Sequence, residues 1–266
     1  SLKSSFDLSP VITGTVVSAL CFIIITGGVN RIAKVQTFTV PLMSLFYFII
    51  SGMVLFKFKS NIIPCISLIF KEAFSFKALS GFGIYKAARY GISRGVFSNE
   101  AGLGSSTILH SQAENQNGEN QGIWAMLEVF IDTILMCSIT ALVLLVSTNY
   151  NENNLYGAEL SVLAYSTIGE IGKKGVGVLT AIFAFSSLSS CSFYGEKSFE
   201  YLFGKKYTRF YKFGYIALAL FGSLNSPKII WSFADICNGL MAVPNLFALN
   251  YLAKEVYFPK KSKTLS

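Results

Sequence analysis

Long apolar runs recur along this chain, at 11–25, 35–56, 124–146, 176–194, 211–224 and 229–252. A bilayer core of about 30 Å is crossed by roughly 20 helical residues, so runs of this length read as membrane spans. Lipid offers no partner to an exposed peptide group, which leaves helices or closed barrels as the only spanning structures. Continuous rather than alternating apolar character selects helices. The chain is therefore expected to be an all-α, polytopic membrane protein. Composition agrees: 52% of residues are hydrophobic and 14% charged, against about 25% charged in soluble domains. That excludes a disordered chain, an ordinary soluble enzyme, and a nucleic-acid-binding domain read from the net charge of +8. The cysteines at 21, 65, 137, 191 and 237 form no C-x-x-C pair, so neither a disulfide nor a metal centre is expected.

The intervening segments differ in kind. Residues 57–80 are half apolar but interrupted by Lys71, Glu72 and Lys77, which suits an interfacial or external helix. Residues 149–174 form a polar linker with one short amphipathic piece, Leu160, Leu163 and Ile168. The tail 253–266 is basic and is expected in the cytoplasm. Alternation then places Arg31, Lys34, Lys197, Lys205, Lys206, Arg209 and Lys212 on that same side, and leaves 148–172, which lacks Lys and Arg, outside.

A seventh segment, 84–112, is unusual. Ile84, Ala88, Ile92 and Val96 share a helical face while Lys86, Arg89 and Arg94 stay polar. Then follow Ser98, Asn99, Glu100, Ala101, Gly102, Leu103, Gly104 and Ser105, poor material for an uninterrupted helix. Three readings are open: a broken helix whose freed peptide groups line a cavity, a small-residue packing seam, or a loop. A phosphate loop is excluded, because no Gly-Lys-Ser/Thr follows. Glu100 makes the segment a functional candidate, as an intramembrane ionisable residue does.

Other polar residues in the spans carry paired readings. Asp132, beside Thr133, either faces an ion or pairs with a Lys or Arg. Ser186, Ser187, Ser189, Ser190 and Ser192 either back-bond to carbonyls of their own helix or present oxygens to a ligand. Glu196 and Asp235 sit near span ends and are expected to be solvated or snorkelling. His110, the single histidine, reads as a satisfied interfacial residue.

Several blocks of this sequence resemble the alanine/glycine:cation symporter family, the sodium:alanine symporters. The block from Arg94 through Asn99, Glu100 and Gly102 to Ser105 carries most of the likeness. The others run from Gly27 and Gly28 to Pro41, from Val129 to Ile134, from Phe193 to Gly204, and from Ala234 to Asn245. They occur in the family's order. The resemblance implies a partial LeuT-like inverted-repeat fold in a single membrane domain, 1–266. Residues of about 10–56 would be the last two helices of the first repeat. The second repeat, of about 84–252, would open with the broken transmembrane helix. The N-terminal helices of the family pattern are missing, so the chain resembles the C-terminal portion of a carrier.

The implied activity is sodium-coupled symport of alanine or glycine across the plasma membrane by alternating access. The carrier would be multi-pass (in the inner membrane if the cell is Gram-negative), with Na⁺ as coupling ion and no cofactor. An amino acid zwitterion needs carbonyl oxygens for its ammonium and N–H donors for its carboxylate, which half-helix ends supply. On the family pattern the substrate would meet Phe97, Ser98, Asn99, Gly102, Ser187 and Cys191; the ion would meet Asn99, Asp132, Thr133 and Ser186. Family members usually have Thr where Ser187 stands and Trp where Cys191 stands. Cys191 removes a large wall and opens the question of a bulkier substrate. Two other classes compete: a truncated, non-transporting remnant or sensor of the same fold, and a membrane-embedded enzyme. His110 has no nucleophile arranged beside it in sequence, which disfavours the enzyme.

Overall fold

The structure is a computed structural model that describes residues 2–74, 81–114, 118–148, 157–225 and 227–257. All its regular elements are helices: α1 (Leu2–Phe6), α2 (Pro10–Thr26), α3 (Gly28–Lys57), α4 (Lys59–Ala73), α5 (Gly81–Asn99) and α6 (Ser105–His110) come first. Then α7 (Gly118–Val129) passes through a π-helical segment, Phe130–Met136, into α8 (Cys137–Ser147). The short α9 (Ala158–Ser166) precedes α10 (Glu170–Phe203), α11 (Thr208–Leu224) and α12 (Pro227–Tyr257). Most of the predicted basic tail (258–266) and part of the predicted polar linker (149–156) lie outside the described residues.

Four continuous helices are long and apolar enough to cross a membrane among the described residues: Gly28–Lys57, Gly118–Ser147, Glu170–Phe203 and Ile229–Ala253. They correspond to four of the seven segments read from the sequence. The others are the 17-residue α2, the 17-residue α11 and the broken pair α5–α6. Helix ends fall beyond the apolar runs in several places: α3 begins at Gly28 rather than near 35, and α10 runs from Glu170 to Phe203 rather than from 176 to 194. Hydropathy detects the lipid-crossing part of a helix, whereas Arg31 and Lys34, or Lys173 and Lys174, simply continue the same helix into the polar layer. Arg31 is used there: its guanidinium donates to the Ile23 carbonyl (2.9 Å) at the C-terminus of α2. At the other end of α2, Ser9 Oγ accepts from the Val11 N–H (3.3 Å) with Pro10 opening the helix, so capping and proline agree on where it starts.

The chain divides into two compact units, 1–84 with 134–225, and 85–133 with 226–266. The first is built around Met43, Tyr47, Ile50 and Val54 of α3, Val143 of α8, Val162, Ala164 and Tyr165 of α9, and Val176 and Leu179 of α10. Lipid tails are as apolar as these side chains, so close packing and interhelical hydrogen bonds, rather than escape from water, favour such contacts. Both are present. A Cβ on Gly195 of α10 would stand 2.0 Å from the Tyr211 hydroxyl of α11, so only glycine lets that ring approach. Tyr47 Oη lies 2.5 Å from Thr140 Oγ1 and donates to the Met136 carbonyl (3.0 Å). Ser51 Oγ and Tyr165 Oη meet at 2.6 Å in the buried core. Burial pushes the Tyr165 phenol well above its ordinary range, so it remains a protonated donor.

Glu196 departs from its sequence reading. It pairs with Lys212 at 2.9 Å, and the two side chains are only 16% and 15% exposed. Lys212 also donates to the Ile25 carbonyl (3.2 Å), so one ammonium joins α2, α10 and α11. A solvated carboxylate was expected because the basic partner lies one helix later in sequence, beyond any i,i+4 relation.

Candidate functional site

The second unit contains the break in its first helix. α5 ends at Asn99, so its regular i→i+4 ladder stops over the turn that holds Phe97, Ser98 and Asn99. Glu100 takes a left-handed conformation (φ 53°), followed by Gly102 (φ 76°) and Gly104 (φ 83°), before α6 resumes at Ser105. Left-handed backbone at a non-glycine residue is characteristic of functional sites, where surroundings hold it in place. Here the surroundings are explicit. Asn99 Oδ1 accepts from the Ala101 N–H (3.0 Å), and the Glu100 carboxylate accepts from Ser105 Oγ (2.6 Å) across the break. Asn245 of α12 donates its amide to the Gly102 carbonyl (3.0 Å). A Cβ on Gly104 would stand 2.8 Å from Asn245 Oδ1, so glycine is required there both for its φ and for this approach. The structure thus selects the broken helix from the readings left open for 84–112.

Asp132 lies in the π-helical segment between α7 and α8. π-helical insertions leave the regular i→i+4 ladder and recur at functional sites. Its carboxylate accepts a hydrogen bond from Ser98 Oγ of α5, so the partner is a hydroxyl at the break rather than a Lys or Arg. The neighbouring Thr133 Oγ1 is buried with no hydrogen-bond partner among the described residues. A carboxylate, a hydroxyl bound to it and an adjacent orphan hydroxyl are hard oxygen donors of the kind that alkali and alkaline-earth cations accept. Among the described residues no cluster of three or more His, Cys, Asp and Glu would hold a transition metal.

Asp235 is exposed, in keeping with its sequence reading, and it also has a partner that the sequence did not reveal. It is ion-paired with Arg94 (2.5 Å), and Ser93 Oγ donates to the same carboxylate oxygen (3.2 Å). The Arg94 guanidinium lies 4.3 Å from the Trp231 ring centre. His110 is satisfied, as expected: Nδ1 is 2.7 Å from the Gln121 amide and Nε2 3.5 Å from Glu128.

The remaining predicted residues belong to α10 in the first unit. Ser186 is 7% exposed and donates to Gln36 Oε1 of α3 (2.6 Å), while Gln36 returns a bond to the Ser186 carbonyl (3.1 Å). Ser189 and Ser192 bond to carbonyls of their own helix, Phe185 (2.8 Å) and Ser189 (2.7 Å), the back-bonding reading. Ser187 and Cys191 are exposed on α10. Sequence reasoning therefore singled out Ser98, Asn99, Gly102, Asp132 and Thr133, which the fold gathers at the break and the adjoining π-helical segment. It missed Arg94, Trp231 and Asn245 as neighbours of the break, because α12 lies some 140 residues downstream. The one available signal was Asn245 directly after Pro244, whose missing N–H marks a specialised point of a span.

The profile of the sodium:alanine symporter family matches residues 1–262. The sodium/alanine symporter AgcS of Methanococcus maripaludis is 37% identical over 98% of this chain and 58% of its own length. An uncharacterized transporter of Haemophilus influenzae is 35% identical over 96% of the chain and 58% of its own. The probable sodium/glutamine symporter GlnT of Bacillus subtilis is 30% identical over 99% and 56%. The chain thus spans a little over half the length of these curated relatives.

Proposed function

The chain belongs to the sodium:alanine symporter family, a family of multi-pass membrane transporters, and on that premise we propose that it takes part in sodium-coupled uptake of a small neutral amino acid. The supporting observation is the break between α5 and α6, where the backbone of Phe97, Ser98 and Asn99 leaves the regular helical ladder beside the Ser98–Asp132 hydrogen bond. The carbonyls suit the substrate ammonium. Gly102 lets a ligand approach the backbone. Asp132, Thr133 and Asn99 offer oxygens to Na⁺, which ties ion and substrate to the same few residues. Ser186, bound to Gln36 within the first unit, is an oxygen that the family resemblance also gives to the ion.

The test is uptake of labelled alanine into proteoliposomes of the full-length carrier containing this chain, with and without an inward sodium gradient. Accumulation only with the gradient supports the reading; equal uptake in both conditions removes sodium coupling, and no uptake removes the transport assignment.

Substrate size is proposed to be set on α10, where Ser187 and Cys191 occupy the positions the family resemblance gives to the substrate. One curated relative is named for alanine and another for glutamine, so the family accommodates side chains of different volume. Cys191→Trp adds a large wall. It is expected to weaken competition of unlabelled glutamine with alanine uptake on the order of 10-fold while alanine uptake persists. Unchanged competition shows that Cys191 does not face the substrate.

A further inference from the structure

The corner between α10 and α11, in the first unit, carries charge and aromatic surface that transport does not use. From Glu196 to Lys212 the sequence holds five basic residues and two acids. Both acids are taken within the corner: Glu196 pairs with Lys212 (2.9 Å), and Glu200 pairs with Lys197 (3.0 Å). That leaves Lys205, Lys206 and Arg209, all exposed, and among the described residues no carboxylate pairs with them. Lys212 also reaches the Ile25 carbonyl (3.2 Å), so the corner between α2 and α3 stands beside this one. It adds Arg31 and Lys34, exposed and three apart on one face of α3. Like charges gathered without a counter-charge repel one another, and an arriving anion relieves that repulsion.

The same corner is apolar where it is not basic. Tyr201 is 90% exposed and Phe210 72%, with Leu202 exposed beside them. The boundary between lipid tails and headgroups accommodates such side chains, and Tyr is favoured there. The corner is held in shape by rings packed beneath it, Phe199 against Phe203 (4.6 Å) and against Tyr211 (5.5 Å). From Phe210 the exposed side chains of Leu218 and Phe221 continue along one side of α11.

We infer that this corner binds an anionic phospholipid of the cytoplasmic leaflet. Its phosphate lies among Lys205, Lys206 and Arg209, and its acyl chains run along Phe210, Leu218 and Phe221. Charge complementarity selects the headgroup: the cytoplasmic leaflet is the anionic one, and the distribution of Lys and Arg puts both corners on that side. Arg209 offers phosphate oxygens a planar fork, and the two lysines add point charges. The pairing of Glu196 and Glu200 matters as much, because an uncompensated carboxylate here would repel the phosphate.

The test is titration of the full-length carrier containing this chain, in detergent micelles, with phosphatidylglycerol or phosphatidylcholine, bound lipid being read by native mass spectrometry. Phosphatidylglycerol is expected to bind at least about 10-fold more tightly, and less tightly as ammonium acetate is raised. Lys205→Gln, Lys206→Gln and Arg209→Gln are each expected to weaken its binding about 5-fold, and the triple variant on the order of 100-fold. The double variant Lys173→Gln/Lys174→Gln removes charge from the opposite end of α10 and is expected to change binding by less than about 2-fold. Equal affinity for the two lipids, binding indifferent to salt, unchanged affinity in the triple variant, or an equal loss in the double variant each overturns the inference. Phe210→Ser tests the path of the acyl chains. It is expected to weaken phosphatidylglycerol binding about 5-fold with the salt dependence unchanged. Unchanged affinity there means that phosphate alone is held, which overturns a lipid as the occupant.

Discussion

Asp132→Asn is expected to weaken the sodium dependence of uptake severely while the protein still inserts and folds. Asn retains the shape of the side chain and still accepts the hydrogen bond from Ser98 Oγ, so what it loses is charge. A charged carboxylate within a span costs about 2.5–3.5 kcal/mol on insertion scales, and the variant is relieved of that cost. Any loss of function is then a loss of ion binding and not of folding. The expected effect is on the order of 100-fold in the sodium concentration that half-saturates uptake, read from uptake against external Na⁺. Ser98→Ala is the companion: it removes one hydrogen bond to a charged group, worth about 1.5–3 kcal/mol, but leaves the charge in place. Wild-type sodium dependence in Asp132→Asn would move the ion elsewhere in the protein and leave the Ser98–Asp132 contact as structural glue.

The second large effect belongs to Gly104. Substitution to Ala places a Cβ 2.8 Å from Asn245 Oδ1 on backbone at φ +83°. The conformational penalty is about 1–2 kcal/mol, and crowding against Asn245 adds about 1–3 kcal/mol as for other overpacked sites. Gly28→Ala is the control, because Gly28 has a similar φ of +75° with nothing within 4 Å of the added carbon. Thermal unfolding in detergent is expected to fall for both, and further for Gly104→Ala. Uptake is expected to fall for Gly104→Ala, since Asn245 must move and release the Gly102 carbonyl. Equal thermal losses in the two variants would mean that Asn245 yields without cost.

Much of this was legible in the sequence. The spans were, because lipid imposes a length and an apolar character that few other environments demand. So was the break, because Gly102 and Gly104 beside Ser, Asn and Glu cannot hold a regular helix. The π-helical segment was not legible. Phe130–Met136 contains neither Pro nor Gly, and the only mark it leaves is an acid in an apolar run. Asp132 was found for its charge, and its partner Ser98 could be found only in the fold. The Arg94–Asp235 and Lys212–Glu196 pairs were hidden for the same reason. Near the end of a span a carboxylate reads as solvated, and only tertiary contact reveals the basic residue facing it. The ends of α3 and α10 were misplaced because hydropathy responds to lipid, and a helix that continues into the polar layer does not register.

The π-helical segment also bears on which length changes this span can tolerate. An α-helix turns about 100° per residue, and a π turn is an α-helix that has accommodated one surplus residue. Deleting a single residue between 130 and 136 would let the ladder close into ordinary α-helix at little backbone cost, and it would leave the flanking turns near their present rotational phase, because the wider turn already absorbs the surplus residue. Deleting one residue from the regular stretch of α8 would instead turn the side chains past the cut by about 100° relative to those before it. A one-codon deletion is therefore mild in the segment and severe a turn or two away. What the segment itself would lose is local, the placement of Asp132 toward Ser98.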